Sequence, residues 1–327
     1  MKIKKKNLFD FISILFFSLL VLAIPWASFN DGYENLDTFR YIESLENGDL
    51  YFQLKWNYNS LSDYIFNEWL WLKIQEILSV FFSPNFIFLW LIPFLNFYFL
   101  SLFVFKYVSY RYIYYFFTPI FLLFFTNQVR LALAASIFFL LWFVFTSSNK
   151  VFKVVVSIIL SSIHASMLMF MLAVYLLYLI SIIKIKEYFK IFFSVIFALI
   201  FVVMNSSFLS NFLSYFGSNR GDYYKNFNNN FSLLTTIYFS FILFLLITLL
   251  LKKRIELSLY QIIAIFVFAV VVFSYFFDGT YPGRYFSFFF PFIIISMYQT
   301  KSILYTLFFS IWVVYSIFID FNILSFI

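Results

Sequence analysis

The chain contains no cysteine and only one histidine. Without cysteine it cannot form disulfides, cysteine–zinc sites, iron–sulfur clusters or a thiol nucleophile. A single histidine cannot supply a multi-histidine metal site. The six glycines form no phosphate-binding or dinucleotide-binding fingerprint, which argues against ATP or NAD binding by this chain alone. We therefore expect no cofactor and no metal.

Charge is also scarce. Charged residues make up 11% of the 327 residues and hydrophobic residues 64%, against about 25% and about 45–50% in soluble domains. So few charges cannot cover a soluble surface, and so much apolar surface argues against disorder. The composition predicts an all-α fold, a polytopic integral membrane helical bundle of about 10–12 transmembrane helices, some of them short or re-entrant.

The apolar runs predict the organisation of the chain. We expect one transmembrane domain over residues 1–327, a first outer loop at 30–84 with an amphipathic helix, and a second large outer loop at 209–232. The segment 60–82 carries too many charges for a lipid-facing span, so it lies at the outer interface or is packed inside the bundle. The predicted spans are 8–28, 86–105, 112–125, 131–146, 154–163, 165–183, 191–208, 233–251, 257–277, 285–297 and 303–319.

The distribution of basic residues predicts the orientation. An N-terminus in the cytoplasm places fifteen of the Lys and Arg residues in cytoplasmic segments and seven outside, as the positive-inside rule requires. This pattern fits orientation in a membrane better than nucleic-acid binding, although the net charge is +7.

Two predicted hairpins are too short for both arms to cross. Each arm has about 10–19 residues, whereas a full crossing needs about 20. The polar tips are at 127–130 and 161–166. A backbone that breaks inside the membrane must be buried in protein or line a wet cavity, so we expect both tips in one cavity open to the outside.

Polar residues at these tips are candidates for chemistry. Arg130 is expected at a helix N-terminus, where an anion would compensate its charge; the alternative is an arginine that reaches the outer headgroups. Asn127 and Gln128 lie beside it. His164 is flanked by serines in an apolar stretch, and it either exchanges protons near neutral pH or joins two helices by hydrogen bonds.

Further candidates lie in later outer loops. Arg284 follows Pro282-Gly283, which predicts a tight turn, and it is expected to open the next helix or to pair with Asp278. Arg220 lies in a polar turn at 217–222, where it could pair locally with Asp222. Three outer arginines and one histidine suggest an anionic ligand, with a pyrophosphate group, from the outer leaflet.

The order of these motifs resembles the EpsG/Wzy-like family of bacterial polysaccharide (O-antigen, capsule or exopolysaccharide) polymerases. The matching pieces are Gly32-Tyr33, the Asp37-Thr-Phe-Arg-Tyr41 segment, Asn127-Gln-Val-Arg130 followed by Leu-Ala-Leu-Ala-Ala135, Ile163-His-Ala-Ser166 and Gly283-Arg284-Tyr285.

The resemblance implies a metal-independent membrane glycosyltransferase. Such enzymes join oligosaccharide repeat units carried on undecaprenyl pyrophosphate, at the outer face of the cytoplasmic membrane. The partners it implies are the undecaprenyl-pyrophosphate-linked oligosaccharide, the lipid bilayer, a chain-length regulator and a flippase, with no nucleic acid.

The resemblance and the chemistry of these side chains assign roles as expectations. Arg130 and Arg284 would clamp the donor pyrophosphate, and His164 would be the base, with Asp278 and Asp37 in reserve. The expected substrate-binding residues are Asp37, Arg40, Asn127, Gln128, Arg220, Asp222 and Tyr281.

Other functions remain open at this point. A ligase that moves finished polymer uses the same outer chemistry. A lipid-linked oligosaccharide flippase also needs a basic cavity, but more often shows internal repeats. An outer-face transferase that uses a polyprenyl-phosphate sugar and a non-enzymatic scaffold or channel are the remaining alternatives.

Overall fold

The computed structural model describes residues 5–23, 36–48, 64, 68–141, 150–205, 232–253, 256–277 and 282–320. The described residues form helices and turns with no β-strand among them, so the predicted all-α class is confirmed there. The α-helices in chain order are α1 (Lys5–Ala23), α2 (Leu36–Glu46), α3 (Trp69–Phe81), α4 (Pro84–Tyr107), α5 (Pro119–Thr126), α6 (Val129–Phe139), α7 (Lys150–Ser161), α8 (Met167–Ile182), α9 (Glu187–Val203), α10 (Leu233–Lys253), α11 (Leu259–Ser274), α12 (Pro282–Thr300) and α13 (Ile303–Asp320). A 3-10 helix, Tyr110–Phe117, precedes α5.

Two of the described helices are long and apolar enough to cross a membrane. They are α4, with 24 residues, and the segment Leu233–Lys252 of α10, with 20 residues. The pair α5 and α6 makes a third if the two count as one broken span. Shorter apolar helices lie at Ile12–Ala23, Met167–Ile182, Leu259–Ser274 and Ile303–Phe318. The chain thus has the apolar helices of a membrane-associated protein, while a bundle of about 10–12 spans stays a prediction.

The structure differs from the sequence prediction at two prolines. The sequence predicts one continuous span over 112–125, but the structure divides this run between the 3-10 helix and α5. Thr118 is extended, with φ −64° and ψ 127°, because the residue before a proline is disfavoured in the helical region. The predicted tight turn at Pro282-Gly283 is wrong, since these residues begin α12; proline is favoured in the first turn of a helix.

The described residues belong to two compact units. The first comprises Met1–Met171 and Ser316–Ile327. Within it α4 packs against α1, α2, α5 and α6. Aromatic rings fill this core: the Phe97 ring lies 5.5 Å from those of Phe116 and Phe125, and Phe103 stacks on Phe139 at 5.0 Å. Such pairs add about 0.5–1.5 kcal/mol each beyond the burial of their area.

The second unit comprises Leu172–Tyr315. Its central helix is α11, which packs against α9, α10 and α12. Every side chain from Ile262 to Val270 is fully buried. A helix that is apolar on all sides must be surrounded by other helices or by lipid, and here other helices surround it.

A polar contact fixes the start of α11 in the second unit. Glu187, in the first turn of α9, accepts the backbone N–H of Leu257 at 2.9 Å and pairs with Lys190 at 3.1 Å. Ser258 and Gln261 form a reciprocal capping box. These contacts satisfy N–H groups that a helix N-terminus leaves without helical partners.

Candidate functional site

The candidate site is built around a break between two apolar helices of the first unit. Helices α5 and α6 meet at an angle of 99° at Asn127 and Gln128. The Thr38 hydroxyl of α2 donates to the carbonyl of Thr126, at the end of α5. Asn96 of α4 donates to the carbonyl of Val129, at the start of α6, at 3.1 Å. Side chains from two other helices thus bind both ends of the break, and the Thr38 hydroxyl satisfies a carbonyl that the end of α5 leaves without a helical partner.

Arg130 is in the first turn of α6, where the sequence predicted it. Its guanidinium donates to the Glu68 carboxylate, and the two form an ion pair. The Glu68 side chain is 4% exposed and that of Arg130 is 20% exposed. Since a buried charge requires a partner, this pair explains how an acid can lie inside an otherwise apolar region.

His164 lies in the turn between α7 and α8, also as the sequence predicted. Its Nδ1 is 3.9 Å from Glu68 Oε1. The backbone N–H of Ala165 donates to the same carboxylate oxygen at 3.4 Å. Nδ1 also lies 2.8 Å from the Ser166 hydroxyl. Glu68 therefore joins Arg130 to the histidine turn.

The histidine turn also binds the start of α3. The backbone N–H groups of Leu70 and Trp71 both donate to the carbonyl of Ser162, at 3.1 and 3.3 Å. These N–H groups belong to the first turn of α3 and have no carbonyl of their own helix to bind. We call Glu68, Arg130 and His164 the ionisable cluster; three segments remote in sequence bring it together.

The backbone of Glu68 adopts an unusual conformation for a residue other than glycine. Its φ is 54° and its ψ is 44°, at the position that precedes α3. The left-handed region costs such a residue about 1–2 kcal/mol. Residues held in sparsely populated backbone regions cluster at active sites and ligand-binding sites.

Aromatic rings form one side of the cluster. The guanidinium carbon of Arg130 lies 5.5 Å from the ring centre of Tyr41. The Tyr41 ring is in turn 5.5 Å from those of Trp71 and Phe88, and both are almost completely buried. The rings exclude water from one face of the guanidinium, where cation–π attraction is strongest.

The structure places the other predicted site residues in different positions. Asn127 and Gln128 are next to Arg130 at the break, and the buried Gln128 Oε1 has no hydrogen-bond partner among the described residues. Arg40 is exposed on α2. Arg284 is half-buried in the first turn of α12, in the second unit. The side chain of Asp37 and all of Arg220, Asp222, Asp278 and Tyr281 lie outside the described residues.

Sequence reasoning missed the residue that connects the cluster. In the sequence Glu68 is one of several charges in the amphipathic segment 60–82, and no pattern there predicts it as a site residue. Its signal is an acid directly before the apolar Trp69-Leu-Trp71 run, where an ionisable group needs a partner. No local sequence pattern identifies that partner, because Arg130 lies 62 residues away.

The cluster offers an acid, a cation and an imidazole for chemistry. A guanidinium can bind a phosphate or pyrophosphate with two parallel hydrogen bonds, and a carboxylate or imidazole can take up a proton. No group of three or more His, Cys, Asp or Glu side chains suitable for a metal ion occurs in the part of the chain that the structure describes.

Comparison of the chain with protein-family models, characterised proteins and solved structures finds no match. The class that the fold defines is therefore a general one: the described residues form helices, and the apolar ones among them are compatible with a helical membrane protein.

Proposed function

We propose that the chain is a multi-pass glycosyltransferase of the bacterial cytoplasmic membrane, with its N-terminus in the cytoplasm. It joins oligosaccharide repeat units, carried on a polyprenyl pyrophosphate such as undecaprenyl pyrophosphate, into a polysaccharide at the outer face. The leaving group of each transfer is the lipid pyrophosphate.

The observation that carries this proposal is the ionisable cluster at the α5–α6 break. Two segments of the chain, at Arg130 and at the histidine turn, converge on the buried carboxylate of a third segment at Glu68. Ionisable groups at such places mark functional sites more often than structural ones. The resemblance in motif order to polysaccharide polymerases includes both Arg130 and His164.

Arg130 is the proposed binding group for the donor pyrophosphate. It lies at a helix N-terminus, whose backbone N–H groups and dipole favour an anion. As the bond between sugar and pyrophosphate breaks, negative charge develops on the leaving oxygen, and a guanidinium there stabilises it. A pyrophosphate so neutralised can leave without being protonated by an acid.

The substitution Arg130→Lys tests this role. Lysine keeps the charge but loses the planar fork of N–H donors, so we expect polymer synthesis to fall by on the order of 10–100-fold. Arg111→Lys is the matched control, because Arg111 is exposed in the 3-10 helix. The measurement is the glycan chain-length ladder in cells that lack the gene and carry each variant, at equal amounts of membrane-inserted protein.

The accumulated intermediate in the deletion strain distinguishes the alternatives. A polymerase leaves single lipid-linked repeat units on the outer face, whereas a flippase leaves them on the inner face and a ligase leaves finished polymer on its carrier. A normal ladder with Arg130→Lys would contradict the proposed role of the guanidinium.

A further inference from the structure

The imidazole of His164 is held in one tautomer by its own turn. The backbone N–H of Ser166 donates to Nδ1 at 3.3 Å, and the Ser166 hydroxyl lies 2.8 Å from the same nitrogen. Because a backbone N–H can only donate, Nδ1 must present a lone pair, and the proton of the neutral ring is assigned to Nε2. Nδ1 can therefore take up a proton only by giving up the contact with the Ser166 N–H.

The Glu68 carboxylate is a second proton acceptor in the cluster. One of its oxygens faces Arg130, and the other accepts the Ala165 N–H at 3.4 Å. A carboxylate beside a guanidinium is a weak base, whereas a buried carboxylate binds a proton more tightly once the cation is withdrawn. The Glu68 oxygen that binds Arg130 is therefore open to a proton once Arg130 has turned away.

We propose that Glu68 accepts the proton of the attacking sugar hydroxyl, and that donor binding activates it by drawing Arg130 onto the pyrophosphate. Glu68 has this role only if the chain transfers sugars as proposed above. A single exchange of partners by Arg130 then couples donor binding to activation of the base. The acceptor hydroxyl is thus deprotonated only when a donor is bound.

The atoms balance without a further reactant. The hydroxyl oxygen of the acceptor sugar forms a bond to the anomeric carbon with its own electron pair, and its proton passes to an oxygen of Glu68. The bond between the anomeric carbon and the pyrophosphate oxygen breaks. Its electron pair stays on the pyrophosphate, whose charge Arg130 neutralises. Glu68 then releases the proton to water.

The backbone around Glu68 supplies an independent reason for this assignment. Leu70 and Trp71, two and three residues after Glu68, donate their backbone N–H groups to the Ser162 carbonyl. These contacts hold the left-handed conformation of Glu68 in place. The carboxylate direction is thus fixed from both the α3 side and the histidine-turn side. A general base needs such fixed placement against the hydroxyl it deprotonates.

The test separates donor binding from turnover in the purified full-length protein, reconstituted in lipid nanodiscs. The probe is a synthetic polyprenyl-pyrophosphate-linked oligosaccharide. Glu68→Gln keeps the size of the side chain, and its amide oxygen can still accept the Ala165 N–H. We expect single-turnover extension to fall by about 10²–10⁴-fold. The donor dissociation constant should stay within about threefold or become tighter, because the Glu68 carboxylate no longer competes for Arg130.

Glu187→Gln is the matched control. The Glu187 carboxylate also accepts a backbone N–H and also pairs with a basic side chain, but it lies in the second unit. The same chemical change there should leave turnover unchanged. If both variants lose turnover in proportion to their loss of thermal stability, the role of Glu68 is structural and the proposal is wrong.

Chemical rescue with formate tests whether the missing carboxylate itself is needed for turnover. Glycine tolerates the left-handed backbone of position 68, so Glu68→Gly folds without strain there and leaves space for formate. Added formate should restore turnover of this variant and leave the wild type unaffected. Wild-type rates with Glu68→Gln, or no rescue of Glu68→Gly, would overturn the role of Glu68 alone. A wild type that binds the lipid-linked unit without extending it would overturn the proposed function as well.

Discussion

Substituting Glu68 by Gln and Arg130 by Met, singly and together, measures how strongly the ion pair of the cluster is coupled. Removing one partner of a buried pair costs about 3–5 kcal/mol, because the other charge stays buried without its counterion. Glu68 is 4% exposed, but Arg130 is 20% exposed and keeps the ring of Tyr41 beside it. We therefore expect each single substitution to destabilise the protein by about 3 kcal/mol, at the lower end of this range.

The double variant should be little worse than either single one. Once one partner has been replaced, replacing the other cannot break the same contact again, so the coupling free energy should be about 2 kcal/mol. The assay is reversible unfolding in mixed micelles with increasing SDS, followed by tryptophan fluorescence.

The pair Lys73–Glu76 on α3 is the control cycle. Its partners are three residues apart, and their side chains are 36% and 37% exposed. A pair so accessible to solvent contributes about 0.3–0.5 kcal/mol. If the Glu68–Arg130 cycle gave a coupling no larger than this control, the two residues would not act as a unit and the cluster would not be a preorganised site.

Three further substitutions test the surroundings of the cluster and of α11 by the same unfolding assay. Tyr41→Leu removes the ring beside the Arg130 guanidinium and should cost about 1 kcal/mol beyond the loss of apolar area; an unchanged stability would contradict the cation–π contact. Asn96→Leu removes the side-chain donor to the Val129 carbonyl, which keeps its helical N–H donor, and should cost about 0.5–1.5 kcal/mol, whereas Asn96→Asp should not restore the hydrogen bond. Glu187→Gln should cost about 1–2 kcal/mol while the glycan ladder stays normal, and a shortened ladder would contradict its purely structural role.

Hydropathy alone located one long apolar helix in each unit, whereas several other predicted runs differ from their helices by three to seven residues at one or both ends. The runs 86–105 and 233–251 correspond to α4 and α10, whose bounds differ from the prediction by two residues or fewer at each end. A long apolar run predicts a helix reliably, because a backbone that is shielded from water must form its hydrogen bonds within the segment. The prediction was less accurate at Thr118-Pro119, where the restriction before proline divides the run.

The site could be predicted only in parts. Arg130 and His164 are ionisable groups in apolar stretches, so each could be selected from the sequence without knowledge of the other. Glu68 could not, because nothing in the local pattern indicates contacts 62 and 97 residues away. Its segment has enough other charges, among them Lys73 and Glu76, to look like a solvated helix face.

The energetics of Glu68 argue that its role goes beyond holding three segments together. A well-packed apolar residue in place of a buried ion pair is often neutral or stabilises by about 1–4 kcal/mol, and the left-handed backbone at Glu68 adds a further cost of about 1–2 kcal/mol. Glu68 carries both costs, and a residue that only holds segments together requires neither a buried ion pair nor a left-handed backbone. A residue that must release Arg130 to an incoming anion needs both features: a charge that can give up its partner, and a direction that the backbone fixes after the partner has gone.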